Sequence, residues 1–195
     1  MSAINEIFGY LIQTFLGLYL IAMVLRFLLQ VVRADFYNPI CQFLVKITNP
    51  LVIPMRRLVP SFAGLDLASL LLAFVLQMAS IAALVFINFQ VLPGLGLLLV
   101  GGVLGVVSLV VNIYFFALLA MIILSWVAPG SRHPAIHLLY QITEPVMAPF
   151  RKMLPAMGGM DFSPILVFIL INVIQIALRH MAASFNVLGL APWLG

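Results

Sequence analysis

Residues 49–60 read NPLVIPMRRLVP, and residues 144–155 read EPVMAPFRKMLP. Three prolines and a pair of bases recur at the same spacing, 95 positions apart. The register holds well beyond these stretches. Pro134, Leu139, Ile142, Thr143, Gly159 and Asp161 fall on Pro39, Leu44, Ile47, Thr48, Gly64 and Asp66 without a gap. Within the apolar segments, Tyr114 falls on Tyr19. The chain is therefore an internal duplication, with a first repeat over residues 1–93 and a second over 94–195.

Composition sets the solvent in which this duplication folds. Hydrophobic residues make up 65% of the 195 and charged residues 7%, with mean hydropathy +1.26. Soluble domains carry roughly 25% charged residues. So few charges cannot cover a water-exposed surface, and the chain reads as an all-α membrane protein. Its net charge of +4 comes from nine dispersed bases against five acids, which excludes a nucleic-acid footprint. Cys41 is the only cysteine, so there is no internal disulfide. The start carries Glu6 and no base, unlike a cleaved signal peptide, so the first apolar segment is expected to remain as a span.

A bilayer core needs ~20 apolar residues of helix. Four stretches qualify: residues 7–32, 67–89, a part of 94–127, and 164–185. The third is too long, since roughly 34 residues of helix reach ~51 Å against a ~30 Å core. Pro93, Gly94, Gly96 and the pair Gly101–Gly102 predict a break near 101, with the helix proper starting at 102. Gly101 and Gly105 form a G-x-x-x-G, which suits close helix contact or dimerisation. Arg33, Lys46, Arg56 and Arg57 lie between spans one and two, and Arg132, Arg151 and Lys152 between spans three and four. The loop between spans two and three has no base. The positive-inside rule then predicts both long loops in the cytoplasm and both termini on the other side, the periplasm of a Gram-negative cell. Each repeat returns the chain to its starting side, so the two repeats are parallel.

The loops open with amphipathic helix, polar at Gln42 and Lys46 in one repeat and at His137 and Gln141 in the other. The prolines then predict a short, bent path along the bilayer surface. Asn49 would cap a turn begun by Pro50, Pro54 would restart it, and Pro60 would end it. Gly64 supplies a bend, and Asp66 stands where the next span needs its N-cap; Asp161 does the same in the second repeat.

The segments 38–71 and 133–166, with their shared P-x-x-x-P-x-R-[RK]-x-x-P core followed by G-x-D, resemble the two copies of the YggT family signature. The resemblance covers nearly the whole chain and its two-copy form is that of proteobacterial members. It implies a role in tolerance of osmotic shock and in potassium or ion homeostasis. Plastid relatives imply another, in cytochrome b-f assembly and nucleoid organisation. One departure is visible: Ala68–Ser69 stand where the second repeat has Ser163–Pro164, which leaves the first cap less rigid.

Candidate site residues carry alternatives. Arg56, Arg57, Arg151 and Lys152 suit anionic lipid headgroups, an acidic partner or a permeating anion, beside their topogenic role. Asp66 and Asp161 are helix caps paired to the arginine of their own repeat, or else a cation site near the symmetry axis. Gln77, Ser80, Asn112, Asn172 and Gln175 form a polar seam, or else interhelical hydrogen bonds. Arg179 lies near a span end, where it can snorkel. His133 and His137 lack a third metal ligand at helical spacing. No nucleophile–base set, P-loop or dinucleotide fingerprint occurs, so the sequence calls for no catalysis and no cofactor. Two functions fit: ion and osmotic homeostasis, channel-like as a homo-oligomer, or a membrane scaffold that docks a partner protein on its cytoplasmic loops.

Overall fold

The computed structural model describes residues 3–62, 64–128, 130–131, 133–153 and 161–194. Six α-helices run α1 Ala3–Val31, α2 Pro39–Leu58, α3 Leu67–Phe89, α4 Leu95–Val127, α5 Pro134–Met153 and α6 Ser163–Ser184. A 3-10 turn follows at Pro192–Leu194. Helices α1, α3, α4 and α6 are long and apolar enough to span a membrane. Their outward faces expose Phe8, Phe15, Phe116, Ile169 and Val173, each by more than half. Side chains of that kind belong in lipid.

The fold is two corresponding halves, α1–α3 and α4–α6, each with two spans and a linking amphipathic helix. Equivalence holds at the level of single bonds. Asn38 Oδ1 accepts the Ile40 N–H at the start of α2, and His133 Nδ1 accepts the Ala135 N–H at the start of α5. Thr48 and Val52 of α2 are fully buried, and so are their counterparts Thr143 and Met147 of α5. Across the halves, Asn38 Nδ2 donates to Pro134 O at 2.9 Å.

α4 corrects the predicted break near residue 101. It runs unbroken through 33 residues, about 50 Å of helix. Its glycines are contact points for α3. A Cβ at Gly101 would stand 2.7 Å from Ile81 Cδ1, at Gly102 2.7 Å from Phe74 Cε2, and at Gly105 2.7 Å from Gln77 Cδ. Lipid offers little hydrophobic drive between helices, so close approach of backbones does the holding. The G-x-x-x-G is thus used inside the chain, between its two repeats.

α2 and α5 correct the predicted turn and restart at the prolines. Each is one 20-residue helix that continues through two prolines, Pro50 and Pro54 or Pro145 and Pro149. Asn49 accordingly caps no new turn. A proline removes one i→i−4 bond and crowds the preceding turn. Spaced four apart, the two prolines share one helix face, and all four are exposed. The carbonyls they deprive of a partner therefore face outward, where water or headgroups can serve them. The opposite face gains compensating bonds: Thr48 Oγ1 donates to Leu44 O at 2.6 Å, and Tyr19 of α1 donates to Ile47 O at 3.2 Å. Past α2, the predicted bend at Gly64 is made in the left-handed conformation, φ +81°. Arg132, Pro155 and Gly159 lie outside the described residues.

The chain after α6 was not anticipated. Asn186 adopts φ +57°, and Val187 N–H bonds back to Ala182 O at 2.9 Å, which closes the helix and reverses the chain. The tail then packs Val187 and Ala191, both buried, against Leu104, Leu178 and Ala182. Trp193 ends beside α1, 3.6 Å from where a Cβ on Gly17 would be.

Candidate functional site

The duplicated motif builds one charged network per repeat, where each linking helix meets its spans. In the first repeat the centre is Asp66, fully buried at the start of α3. Arg56, from the last turn of α2, holds it with both arms: Nε to Oδ1 at 3.2 Å and Nη2 to Oδ2 at 2.6 Å. The Ser69 hydroxyl donates to Oδ2 at 2.6 Å. A second guanidinium, from α1, closes the network. Arg26 of α1 is 5% exposed, and its Nε lies 3.7 Å from Asp66 Oδ2. Its Nη1 donates to Thr48 Oγ1 at 2.6 Å, Asn49 Oδ1 at 2.9 Å and Val45 O at 3.4 Å. Burial works to raise the Asp66 carboxyl. Hydrogen bonds from Arg56 and Ser69 outweigh it and hold the group below its ordinary 3.8.

The second repeat solves the same problem with different charges. Arg151, the counterpart of Arg56, bonds Asp161 Oδ2 at 2.9 Å through Nε. It also bonds Glu144 Oε2 at 2.6 Å through Nη1. Glu144 stands at the position of Asn49, and Met121 at the position of Arg26. Thr143 Oγ1 accordingly meets Met121 Sδ at 3.2 Å where Thr48 meets a guanidinium. The Ser163 N–H bond, weighed against burial and joined by Arg151, holds the Asp161 carboxyl low. For Arg151, burial is outweighed by Asp161 and Glu144, so its guanidinium is held above its ordinary value. Asp161 Oδ1 accepts the Ser163 N–H at 2.9 Å at the start of α6, but the N-cap position there is Phe162. Asp66 does stand at the N-cap of α3 yet makes no side-chain cap bond, so the predicted caps act through their arginines instead.

Two cations against one carboxylate leave the first network at net +1; one cation against two leaves the second at −1. Their settings differ as well. Asp66 is 0% exposed, whereas Glu144 and Asp161 are 50% and 42% exposed. Arg26 was missed as a site residue because, within its own span, it reads only as a late interruption. The signal was available in the 95-residue register, where Arg26 with Asn49 is exchanged for Met121 with Glu144. That is one charge lost and one opposite charge gained at neighbouring positions.

The structure does not bring Asp66 and Asp161 into one site; each is bound within its own repeat. Arg57 and Lys152 point outward and are exposed. The predicted seam divides. Gln77 is 1% exposed at the α3–α4 contact, with Oε1 unpartnered, and Ser80 is buried one turn on. Asn112 and Gln175 meet, Gln175 Nε2 donating to Asn112 Oδ1 at 3.4 Å. Asn172 is exposed and bonds its own helix at Phe168 O, so it takes no part.

Comparison with known proteins agrees with the duplicated geometry. The family model described as CCB3/YggT matches twice, at residues 5–87 and 100–182. The chain is 45% identical over 185 residues to an uncharacterized protein of Pseudomonas aeruginosa, covering 94% of each. It is 38% identical over 186 residues to "Uncharacterized protein YggT" of Escherichia coli, covering 95% of this chain and 96% of that one. No solved structure matches it. With both repeats matched and their aspartate–arginine pairs in register, the chain belongs to the CCB3/YggT family.

Proposed function

We propose that the protein is a non-enzymatic docking scaffold of the bacterial inner membrane, which supports ion and osmotic homeostasis through the partner it holds. In this reading α2 and α5 face the cytoplasm and both termini the periplasm, because Arg33, Lys46, Arg56, Arg57, Arg151 and Lys152 all lie on or beside those two helices. One observation carries the proposal. Each aspartate of the motif is bound by the arginine ten positions before it, so neither is free to coordinate a passing cation. The network instead fixes a linking helix to its spans. The fixed helices present Lys46, Arg57 and Lys152 beside exposed Phe43, Ile53 and Met153. Bases next to apolar side chains suit anionic headgroups and the acidic rim of a protein partner. The biological role comes from the family resemblance; the geometry supports the mode.

A second reading, conduction by a homo-oligomer, is favoured by the amides buried within the spans, Gln77, Asn112 and Gln175. Two measurements separate the readings. A photo-crosslinker at Arg57 or Lys152 in native membranes is expected to capture one discrete protein partner. Potassium flux into liposomes carrying the purified chain is expected to equal that of empty liposomes. Flux that falls with Asp161→Asn, an exposed change that leaves the fold intact, would overturn the scaffold and establish the conduit.

A further inference from the structure

Where α2 ends and α3 begins, an apolar groove of about 540 Å³ runs down between α3 and α4. Leu67, Leu71 and Phe74 form one wall, Val103 and Val107 the other, and Val59, just past α2, closes the upper end. The lining holds no polar side chain. Leu71, Val103 and Val107 are each exposed by more than a third, so the groove opens toward lipid. Charge gathers at its upper end. Leu67 directly follows Asp66, which Arg56 grips through Nη2 at 2.6 Å. That network carries net +1, and Arg56 keeps 39% of its side chain exposed. Arg57, two residues before Val59, is exposed and makes no ion pair among the described residues. In the second repeat Lys152 stands in the place of Arg57, but the network beside it is −1, with Glu144 and Asp161 both exposed.

We infer that this groove is a site for one anionic phospholipid, an acyl chain lying between α3 and α4 and the phosphate held by Arg57 and the outer side of Arg56. Depth selects the occupant. From Leu67 to Phe74 the wall runs ~10 Å, within the ~15 Å that one leaflet contributes to the core. A partner's spanning helix would need the full ~30 Å, whereas an acyl chain hanging from the headgroup level fits one leaflet. Charge selects the headgroup. A zwitterionic lipid would bring its own cation to a place that is already positive, while an anionic one compensates the surplus, and the guanidinium fork matches phosphate oxygens. A base at the surface favours anionic lipid by about fivefold. In the second repeat two exposed carboxylates stand at the equivalent place and repel the same headgroup. The two halves therefore share a motif and differ in lipid preference. The inference needs only that the end of α2 lies at a bilayer surface, and it holds whether or not the scaffold captures a protein partner.

The test uses the full chain in phosphatidylcholine nanodiscs that contain a minor share of phosphatidylglycerol. A Cys41→Ala background with Leu71→Cys carries a small fluorophore at the groove, and Leu166→Cys carries it at the equivalent position of α6. Brominated chains are placed on one lipid at a time, and quenching reports which lipid is adjacent. At Leu71 the phosphatidylglycerol is expected to quench tenfold or more above its share of the bilayer. Arg57→Gln, an exposed change, should cut that enrichment about fivefold, Arg57→Lys should largely keep it, and Lys152→Gln should leave it as it was. At Leu166 quenching should follow the bulk share. Quenching at Leu71 that only follows the bulk share, an enrichment that Arg57→Gln leaves unchanged, or an equal enrichment at Leu166 overturns the inference.

Discussion

Asp66 and Asp161 hold the same place in the two repeats, pair with equivalent arginines, Arg56 and Arg151, and differ in burial. Replacing each by asparagine therefore compares a buried network carrying an extra arginine with an exposed one carrying an extra glutamate. Asp66→Asn leaves Arg26 and Arg56 facing a neutral amide in a pocket that is 0% exposed at the carboxylate and 5% at Arg26. Removing one partner of a buried pair costs about 3–5 kcal/mol. Arg56 is 39% exposed and can turn to solvent, which places the expected loss at the low end, about 3 kcal/mol. Asp161→Asn breaks a pair exposed by 36% and 42%, with Glu144 still holding Arg151, and should cost under about 1 kcal/mol. Unfolding of the purified chain in mixed micelles by increasing SDS, followed by tryptophan emission, measures both. Acid adds a second arm. Both carboxyls sit below their ordinary value, so what they contribute is complete above about pH 5 and is lost as pH falls through and below about 4. Asp66→Asn should flatten that acid slope more than Asp161→Asn. Equal losses for the two variants, or a larger one for Asp161→Asn, would refute the view that the first network is a buried anchor.

Gly102→Ala puts a methyl 2.7 Å from Phe74 Cε2 and 2.9 Å from Met78 Cγ and should cost about 1–3 kcal/mol, whereas Gly96→Ala meets nothing within 4 Å and should be neutral or mildly stabilising, both by the same unfolding assay. Gln77→Met removes a buried oxygen that has no partner and is expected to leave stability unchanged or raise it by up to about 1 kcal/mol. Arg57→Cys and Lys152→Cys, in a Cys41→Ala background, should both react with an impermeant maleimide from the cytoplasmic side of inverted vesicles; labelling from opposite sides would break the parallel architecture.

Much of this architecture is written in residue order. Span positions follow from apolar length, because a helix must satisfy its own backbone across lipid whatever surrounds it. The duplication is visible as identity at a fixed offset, and the ten-residue spacing of Asp66 to Arg56 already allowed their pairing. Local rules misled where the environment supplied what the residue lacked. Pro50 and Pro54 read as breaks, but their helix keeps its remaining ladder and turns the freed carbonyls outward. Gly101 and Gly102 read as a break, but α3 side chains fill the space they leave. The tail gave no apolar run long enough to notice, and its return into the bundle depends on contacts with α4 and α6.

By itself the sequence determined a membrane solvent, four spans and two parallel halves, since these rest on the backbone's need for internal hydrogen bonds in lipid and on counts along the chain. Only the tertiary structure decided which charges are enclosed and which face out. Arg26 and Met121 are equivalent by position, yet one closes a buried network and the other packs against a threonine. Burial is a property of what neighbouring helices bring, and it sets whether the same aspartate–arginine pair anchors the fold or merely decorates its surface.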